Sequence, residues 1–325
     1  MKTRKLGSHG PEVSAIGYGA MGIHLAYGPS DEAESLDTVR RAIDLGITFF
    51  DTAELYGWGE NEKFLGRAVQ DVRDNIVLAT KFGFQQTPNP YEIALDSSPE
   101  NIRKVTENSL RYLGTDRIDL LYQHRSDPDV PVEDVAGAVA DLVREGKVLH
   151  FGMSEVGEKT IRRAHAVQPV SALQTEYSLF ERDVESLFPV LRELGIGLVP
   201  YCPLGRGFLT GQAKPANEYD QMDIRCFDPR WQPGNYEKNV EAVQKLAAFA
   251  EKKDATVAQL ALAWLLAQGE DIVPIPGTRN RKRLAENAAA ADLALSAGDL
   301  AEIDTILPHG GFGARYIDDF MPDWE

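Results

Sequence analysis

The sequence alternates between two kinds of segment, and this alternation constrains the fold more than any other feature. Short apolar or β-branched runs, typical of buried strands, are followed by longer segments with the hydrophobic period of an amphipathic helix. The predicted strands cover residues 14–19, 48–52, 76–80, 118–123, 148–153, 172–174, 197–201 and 272–275. The predicted helices cover residues 33–45, 61–69, 99–113, 132–144, 158–166, 184–194, 257–268 and 281–289. Eight strand-helix repeats favour an α/β fold in which a parallel sheet closes into a single (β/α)8 TIM barrel.

Several segments lie outside the alternation. A turn at Ser8-His9-Gly10-Pro11 predicts an N-terminal β-hairpin. The connection 203–236 is long and rich in Gly and Pro, so we interpret it as a substrate or cofactor loop, followed by an extra helix over 237–251. The aromatic, Gly-rich tail 308–325 is expected to lie over the barrel mouth. We therefore predict one domain over residues 1–325, with extra C-terminal helices.

Composition and charge exclude several classes of protein. With 43% hydrophobic and 26% charged residues the chain has an ordinary globular composition, and no apolar run reaches the roughly 18 residues that cross a bilayer. The basic start is followed by glycine and polar residues, which argues against a signal peptide and favours the cytoplasm. A net charge of −16 argues against nucleic-acid and anionic-membrane partners. Cys202 and Cys226 lack metal-site spacing, so no metal is expected, and the oligomeric state is left open.

Polar residues that end apolar runs are the candidates for chemistry, because barrels of this type build their sites at the C-terminal ends of strands. Asp51, Lys81 and His124 end the second, third and fourth predicted strands, and Tyr56 follows Asp51 on the next loop. A tyrosine is a poor acid or base at neutral pH unless a nearby cation stabilises its phenolate. Lys81 can supply that cation, Asp51 can hold it, and His124 can orient or protonate a carbonyl oxygen. Such a set suits proton addition to an oxygen that receives negative charge during hydride transfer.

Each of these four residues alone has a simpler interpretation. A single Lys or Asp at a strand end is usually a solvated or ion-paired surface residue, and a single His or Tyr is usually a packing residue. Their placement on consecutive strand ends at one barrel mouth favours a shared catalytic role.

Two patterns indicate a phosphate site. Residues 17–22 match G-x-G-x-x-G after a strand, but no helix follows directly, and the next strand-end acid comes too late for a dinucleotide-binding fingerprint. Loops 203–207 and 276–279 follow the seventh and eighth strands, where barrels often bind phosphate. Thr278, Arg279 and Arg283 open a helix, and two arginines favour the 2′-phosphate of NADP over NAD. The alternative is a solvated basic helix start.

The chain resembles the aldo-keto reductase family from its N-terminal hairpin to about Leu295. The most specific match is Gly46-Ile-Thr-Phe-Phe-Asp-Thr-Ala-Glu-Leu-Tyr-Gly57, continued by Asn61-Glu62 and Leu65-Gly66, and a second match is Ile275-Pro-Gly-Thr-Arg279 with Arg283-Leu-Ala-Glu-Asn287. The resemblance implies a catalytic tetrad of Asp51, Tyr56, Lys81 and His124, and NADPH as cofactor. The cofactor residues that it implies are Ser154 and Gln174 at the nicotinamide carboxamide, Tyr201 on the ring, Cys202, Leu204, Gly205 and Arg206 at the pyrophosphate, Gly277, Thr278, Arg279 and Arg283 around the 2′-phosphate, and Glu286 and Asn287 near adenine.

The chain departs from the family pattern at three positions. Glu155 stands where many members have Asn, Cys202 where many have Ser, and Gly277 where some have Lys. Together with the run Pro-Leu-Gly-Arg-Gly, Glu155 makes the chain most similar to the branch that includes aryl-alcohol and perakine-type reductases.

The expected activity is reduction of an aldehyde or ketone to an alcohol. The same site could run as an alcohol or sugar dehydrogenase, and the alternative from another class is a nucleotide-sensing subunit resembling the β-subunits of potassium channels. An apolar or aromatic carbonyl substrate is predicted from six residues on loops expected at the mouth, although each of them could equally be a packing residue. These are Ile23, His24, Tyr27, Phe84, Trp231 and Phe312.

Overall fold

The computed structural model describes residues 1–89, 94–317, 321–322 and 324, and strands occur along most of this length. They are short, as expected for strands that alternate with helices. Their bounds are β1 (Thr3–Lys5), β2 (Glu12–Ser14), β3 (Tyr18–Gly19), β4 (Phe49–Asp51), β5 (Val77–Phe82), β6 (Phe84–Gln85), β7 (Ala94–Leu95), β8 (Ile118–Gln123), β9 (Val148–Ser154), β10 (Val170–Glu176) and β11 (Gly197–Tyr201).

Seven of these strands form one parallel sheet in the order β3-β4-β5-β8-β9-β10-β11. Segment 271–275 bridges its two edges: the amide of Val273 donates to Leu198 at 2.9 Å, and the amide of Gly17 donates to Pro274 at 2.9 Å. The predicted eighth strand is therefore in place, but it forms only one regular bridge, at Ile272. The prolines at 274 and 276 supply no N–H donor, which explains the interrupted ladder. The predicted TIM barrel is confirmed.

The N-terminal hairpin of β1 and β2 lies at the end of the barrel where the strands begin. The amide of Ser8 donates to the carbonyl of Gly195 at 2.7 Å, just before β11 starts. Leu6 packs with residues from the barrel strands in one buried cluster. The predicted strand 14–19 is thus wrong as one unit, because Ser14 belongs to the hairpin and only Tyr18–Gly19 to the sheet.

The helices lie between the strands, close to their predicted positions, and local signals explain their ends. Ser98 accepts a hydrogen bond from the amide of Asn101, and Gly114 ends the same helix with a left-handed φ of 65°. The predicted helix 184–194 is shorter, because 183–187 form a 3-10 turn before it. The bounds are α1 (Glu32–Asp44), α2 (Glu60–Val69), α3 (Pro99–Leu113), α4 (Val132–Arg144), α5 (Glu158–Val167), α6 (Phe188–Leu194), α7 (Asn235–Glu251), α8 (Val257–Ala267), α9 (Arg281–Ala289) and α10 (Ala297–Ile306).

The first part of the C-terminal tail packs on the barrel. The amide of Gly311 donates to the carbonyl of Phe180 at 2.9 Å, and Asn239 on α7 donates to the carbonyl of Phe312 at 2.8 Å. Tyr316 follows, and its side chain lies against the cavity described below. Residues 318–320, 323 and 325 of the predicted tail lie outside the described residues.

Candidate active site

Asp51, Lys81 and Tyr56 form one buried cluster at the C-terminal ends of β4 and β5. The two strands pair in parallel, which brings the side chains together. The ammonium of Lys81 donates to Oδ1 of Asp51, to the carbonyl of Thr52 at 2.7 Å and to the hydroxyl of Tyr56 at 3.3 Å. All three predicted side chains are at most 6% exposed. The structure therefore brings together a carboxylate, a cation and a phenol.

The electrostatics of this cluster keep Tyr56 protonated at neutral pH. Burial raises the pKa of the Tyr56 hydroxyl, and the positive charge of Lys81 offsets only part of that rise. Burial alone would lower the pKa of Lys81, but the charge of Asp51 and its hydrogen bond raise it. The site thus holds a charged lysine next to a phenol that carries its proton.

The fourth predicted catalytic residue, His124, directly follows β8. Its ring lies edge-on to Tyr56, with 5.9 Å between ring centroids, and edge-on to Phe84, with 4.9 Å between centroids. Burial, followed by the charges of Lys81 and Arg125, lowers the pKa of the imidazole well below its ordinary value. His124 is therefore neutral and can donate one N–H, so the arrangement favours orienting a carbonyl oxygen over protonating it.

Residues that follow Tyr56 fix the loop that carries it. The carbonyl of Tyr56 accepts from the amide of Asn61, at 3.2 Å, near the start of α2. The Asn61 side chain accepts from the hydroxyl of Thr52 at 2.6 Å and donates to the carbonyl of Ala20 at 3.0 Å. Glu62 is fully buried and accepts from the Thr80 hydroxyl at 2.6 Å. The polar residues after the tyrosine therefore anchor α2 to the barrel rim.

A cavity of about 440 Å³ opens over the cluster and extends to the first turn of α9. Lys81 and Gly205 are the predicted site residues that do not line it: Lys81 is buried against Asp51 and Tyr56, and Gly205 lies within the turn after β11. The predicted residues along its wall are Asp51, Tyr56, His124, Ser154, Gln174, Tyr201, Cys202, Leu204, Arg206, Gly277, Thr278, Arg279, Arg283, Glu286 and Asn287.

At the strand end of this cavity, Gln174 and Ser154 are already hydrogen-bonded. The amide nitrogen of Gln174 donates to Oδ2 of Asp51 at 2.8 Å, so both carboxylate oxygens of Asp51 have donors. The hydroxyl of Ser154 accepts from Arg125 at 3.3 Å. Ser154 ends β9 and pairs in register with Gln174, two residues before the end of β10, which places the two side by side.

At the far end of the cavity, Asn280 caps α9 by accepting from the amide of Arg283 at 3.2 Å. Arg279 donates to the carbonyls of Tyr27 at 3.1 Å and Pro29 at 2.7 Å, which ties the loop before α1 to this helix. Gly277 approaches the backbone of Gly19 so closely that a Cβ there would lie 2.7 Å from its carbonyl oxygen. A basic helix start and a close glycine contact thus shape this end.

The sequence profile of the Aldo/keto reductase family matches residues 15–308. The chain belongs to this family. It is 45% identical to a probable aldo-keto reductase 1 of Glycine max, over 96% of this chain and 91% of the relative. It is 44% identical to the aldo-keto reductase yakc of Schizosaccharomyces pombe, whose name specifies NADP(+), over 97% of this chain and 94% of the relative.

A solved structure of similar architecture is the glycerol dehydrogenase of Gluconobacter oxydans. It is 28% identical to this aldo/keto reductase, with a TM-score of 0.86 and 94% of each chain covered. The predicted family is therefore confirmed in sequence and in fold. The narrower branch of aryl-alcohol and perakine-type reductases stays a prediction.

The turn after β11 differs from the prediction in how Arg206 is used. Cys202, Gly205, Arg206 and Gly207 all have positive φ angles, from 47° to 95°, and turns of this kind present backbone N–H groups to anions. The guanidinium of Arg206 is already held in buried ion pairs with Asp228 and, at 3.1 Å, with Glu176. A pyrophosphate contact from Arg206 would therefore come from its backbone rather than its charge.

Glu155, noted in the sequence only as a departure from the family pattern, is the centre of a buried polar cluster in this aldo/keto reductase. Its carboxylate accepts from Arg315 twice at 2.8 Å, from the Tyr201 hydroxyl at 2.7 Å, from Thr175 at 2.8 Å and from the Trp324 indole at 3.0 Å. It thereby joins the tail to the tyrosine predicted to stack on nicotinamide. No local sequence signal indicates this role, because Arg315 lies 160 residues away.

Three predicted pocket walls are wrong. Trp231 is 2% exposed and packs in the core, with 4.8 Å between its ring centroid and that of Phe208. His24 does not line the cavity, and Nδ1 of its ring lies 2.9 Å from the side-chain nitrogen of Asn61. Phe312 is 43% exposed, and the ammonium of Lys238 lies over its ring. The remaining three, Ile23, Tyr27 and Phe84, line the cavity as predicted.

Within the part of the chain that the structure describes, no helix combines the length and the apolar character needed to cross a membrane. The same described residues contain no cluster of three or more His, Cys, Asp or Glu residues arranged to hold a metal ion.

Proposed function

We propose that this aldo/keto reductase catalyses NADPH-dependent reduction of an aldehyde or ketone to an alcohol, with Tyr56 as the proton donor. The family supports an oxidoreductase activity, and the name of the fission yeast relative supports NADP(H). The observation that carries the role of Tyr56 is its hydroxyl, which faces the cavity within 3.3 Å of the buried Lys81 ammonium.

The shape of the cavity fits a dinucleotide. A glycine contact and a basic helix start lie at one end, a turn with positive φ angles lies along the side, and the Tyr56 cluster lies at the other end. Bound NADPH supplies a hydride to the carbonyl carbon. Ser154 and Gln174 would hold its carboxamide, Tyr201 its ring, the turn 202–207 its pyrophosphate, and residues 277–287 its adenosine 2′-phosphate end.

The residues of the chain donate the proton and stabilise the charges that form during the reaction. Tyr56 donates its phenolic proton to the carbonyl oxygen as that oxygen gains negative charge. Lys81 stabilises the phenolate left behind, and Asp51 keeps the ammonium in position through their buried ion pair. Neutral His124 donates an N–H to the same oxygen and orients it.

The same site can run in reverse as an alcohol dehydrogenase. The similar glycerol dehydrogenase is named for that direction, which is the observation that favours it. By microscopic reversibility, the Tyr56 phenolate that Lys81 stabilises would then accept the proton of the alcohol.

The direct test is to follow the loss of NADPH absorbance with a panel of aromatic aldehydes and the purified full chain. Turnover with the aldehydes and formation of the matching alcohols is the expected result. If NADPH binds tightly but no aldehyde or ketone is reduced and no alcohol oxidised, the enzyme proposal is wrong and a nucleotide-sensing role gains support.

The cofactor preference is predicted to depend on Arg279. Substituting Arg279→Ala should raise the KM for NADPH about tenfold more than the KM for NADH, because a charge-assisted contact to the 2′-phosphate is lost. The NADH series reports the separate effect of releasing the carbonyls of Tyr27 and Pro29. Arg281→Ala is the control, since Arg281 at the start of α9 is paired with Asp37 on the surface and its loss should leave the ratio unchanged. Equal effects of Arg279→Ala on both cofactors would contradict the 2′-phosphate assignment.

A further inference from the structure

Arg125 lies where the cofactor cavity meets a second, larger cavity. The second cavity has a volume of about 1240 Å³ and shares Phe84, Arg125, Arg206, Ile224 and Tyr316 with the first. Arg125 follows His124 directly in the chain, and the two aromatic side chains flank the shared wall. A carbonyl compound whose oxygen reaches Tyr56 and His124 would therefore have this shared wall beside it.

The guanidinium of Arg125 has no carboxylate partner among the described residues. It donates through one nitrogen to the carbonyl of His124 at 2.6 Å and to the hydroxyl of Ser154 at 3.3 Å, and both acceptors are neutral. The other arginines along the larger cavity differ, because each is paired with a carboxylate. These pairs are Arg163 with Glu133, Arg206 with Glu176 and Asp228, and Arg315 with Glu155.

A largely buried cation whose hydrogen-bond acceptors are neutral is costly unless an anion joins it. Both bonds of Arg125 use Nη1, and no acceptor among the described residues is bonded to Nη2 or Nε, so these donors can serve a ligand. A guanidinium fork of this kind matches the two oxygens of a carboxylate. The chain as a whole carries a net charge of −16, so Arg125 is a local positive group rather than part of a basic surface.

We infer that Arg125 binds an anionic group of the substrate, so that the enzyme prefers carbonyl compounds that carry a carboxylate, such as aromatic aldehyde acids. This inference rests on the proposed function and narrows its substrate class. Phe84 and Tyr316 provide the apolar surface for the part of the molecule between the carbonyl and the carboxylate. The expectation of an apolar or aromatic substrate is thereby narrowed to an aromatic carbonyl compound that carries a carboxylate.

The test compares 2-, 3- and 4-formylbenzoate with the corresponding formylbenzamides at saturating NADPH. Each pair has nearly the same size and differs in charge. We expect kcat/KM of wild type to favour at least one carboxylate over its amide by about 10- to 100-fold, the range for a hydrogen bond to a charged group. Arg125→Met should collapse that ratio toward one, mainly through a higher KM for the carboxylate, and Arg125→Lys should restore part of it.

The controls separate a binding role from a structural one and from failure of the proposed function. Arg162→Met removes a surface charge that is paired with Glu158 and Glu193, and it should leave the ratio unchanged. If Arg125→Met lowers both rates equally, or if wild type shows no preference in any pair, the inference is overturned while carbonyl reduction stands. If wild type reduces none of these acids and amides, nor any aldehyde or ketone of the wider panel, and oxidises no alcohol, the proposed function itself fails.

Discussion

Substituting Tyr56→Phe is expected to lower kcat for aldehyde reduction by about 10²- to 10⁴-fold, the usual contribution of a positioned proton donor. The ring would still fill its place beside His124, and Lys81 would keep its bonds to Asp51 and to the carbonyl of Thr52. Only the proton donor is removed. Affinity for NADPH, measured by titration of protein fluorescence, should therefore change little while the steady-state rate falls.

A matched tyrosine provides the control for this variant. The hydroxyl of Tyr177 donates to Glu185 at 2.9 Å, and neither residue lines the cofactor cavity. Tyr177→Phe should therefore keep its kcat, although it loses a partly buried hydrogen bond. If Tyr56→Phe retains a rate within a few-fold of wild type at saturating substrate, another group donates the proton and the assignment of Tyr56 is wrong.

The second large effect is expected from Arg315→Met, which should lower the free energy of unfolding by about 3–5 kcal/mol, as measured by urea denaturation. The two side chains of the Arg315–Glu155 pair are at most 3% exposed, and two hydrogen bonds of 2.8 Å join them. Methionine fills much of the volume but leaves a buried carboxylate without its cation. The loss therefore comes mainly from the uncompensated charge.

A double variant identifies the cause of this loss. Glu155→Gln together with Arg315→Met removes the buried charge as well as its partner. The double variant should therefore lose less free energy of unfolding than the sum of the losses of the two single variants. The amide side chain can still accept from the hydroxyl of Tyr201. Additive losses would show that packing of the tail, and not the buried charge, sets the stability.

The pH dependence of the same pair has a defined sign. Burial alone would raise the pKa of Glu155, but Arg315 and the other donors hold it below the ordinary value. In wild type this carboxylate therefore stabilises the fold above its unfolded pKa of about 4.3. This contribution to stability is lost as the pH falls through the lower pKa of the folded state. In Arg315→Met, burial dominates and raises the pKa of Glu155. The difference in free energy of unfolding between wild type and the variant should therefore shrink as the pH falls from neutral to about 5.

Glu155 also shows where prediction from sequence reached its limit. The placement of Asp51, Lys81 and His124 at one rim was predictable, because strand period and strand order alone determine it. The role of Glu155 was not, because its partners come from β10, from β11 and from the tail. A departure from the family pattern marked the position but gave no partner.

The sequence by itself determined the barrel, the family and the residues at the strand ends, because each depends on local periodicity or on a contiguous motif. Only the tertiary structure decided how the charges are paired: Arg206 is neutralised by Asp228 and Glu176, whereas the acceptors of Arg125 among the described residues are neutral. The tertiary structure also shows that Trp231, predicted as a pocket wall, lies in the core. The physical reason is that burial and ion pairing arise between residues far apart in the chain, and pairing decides whether a cation supports the fold or remains available to a substrate.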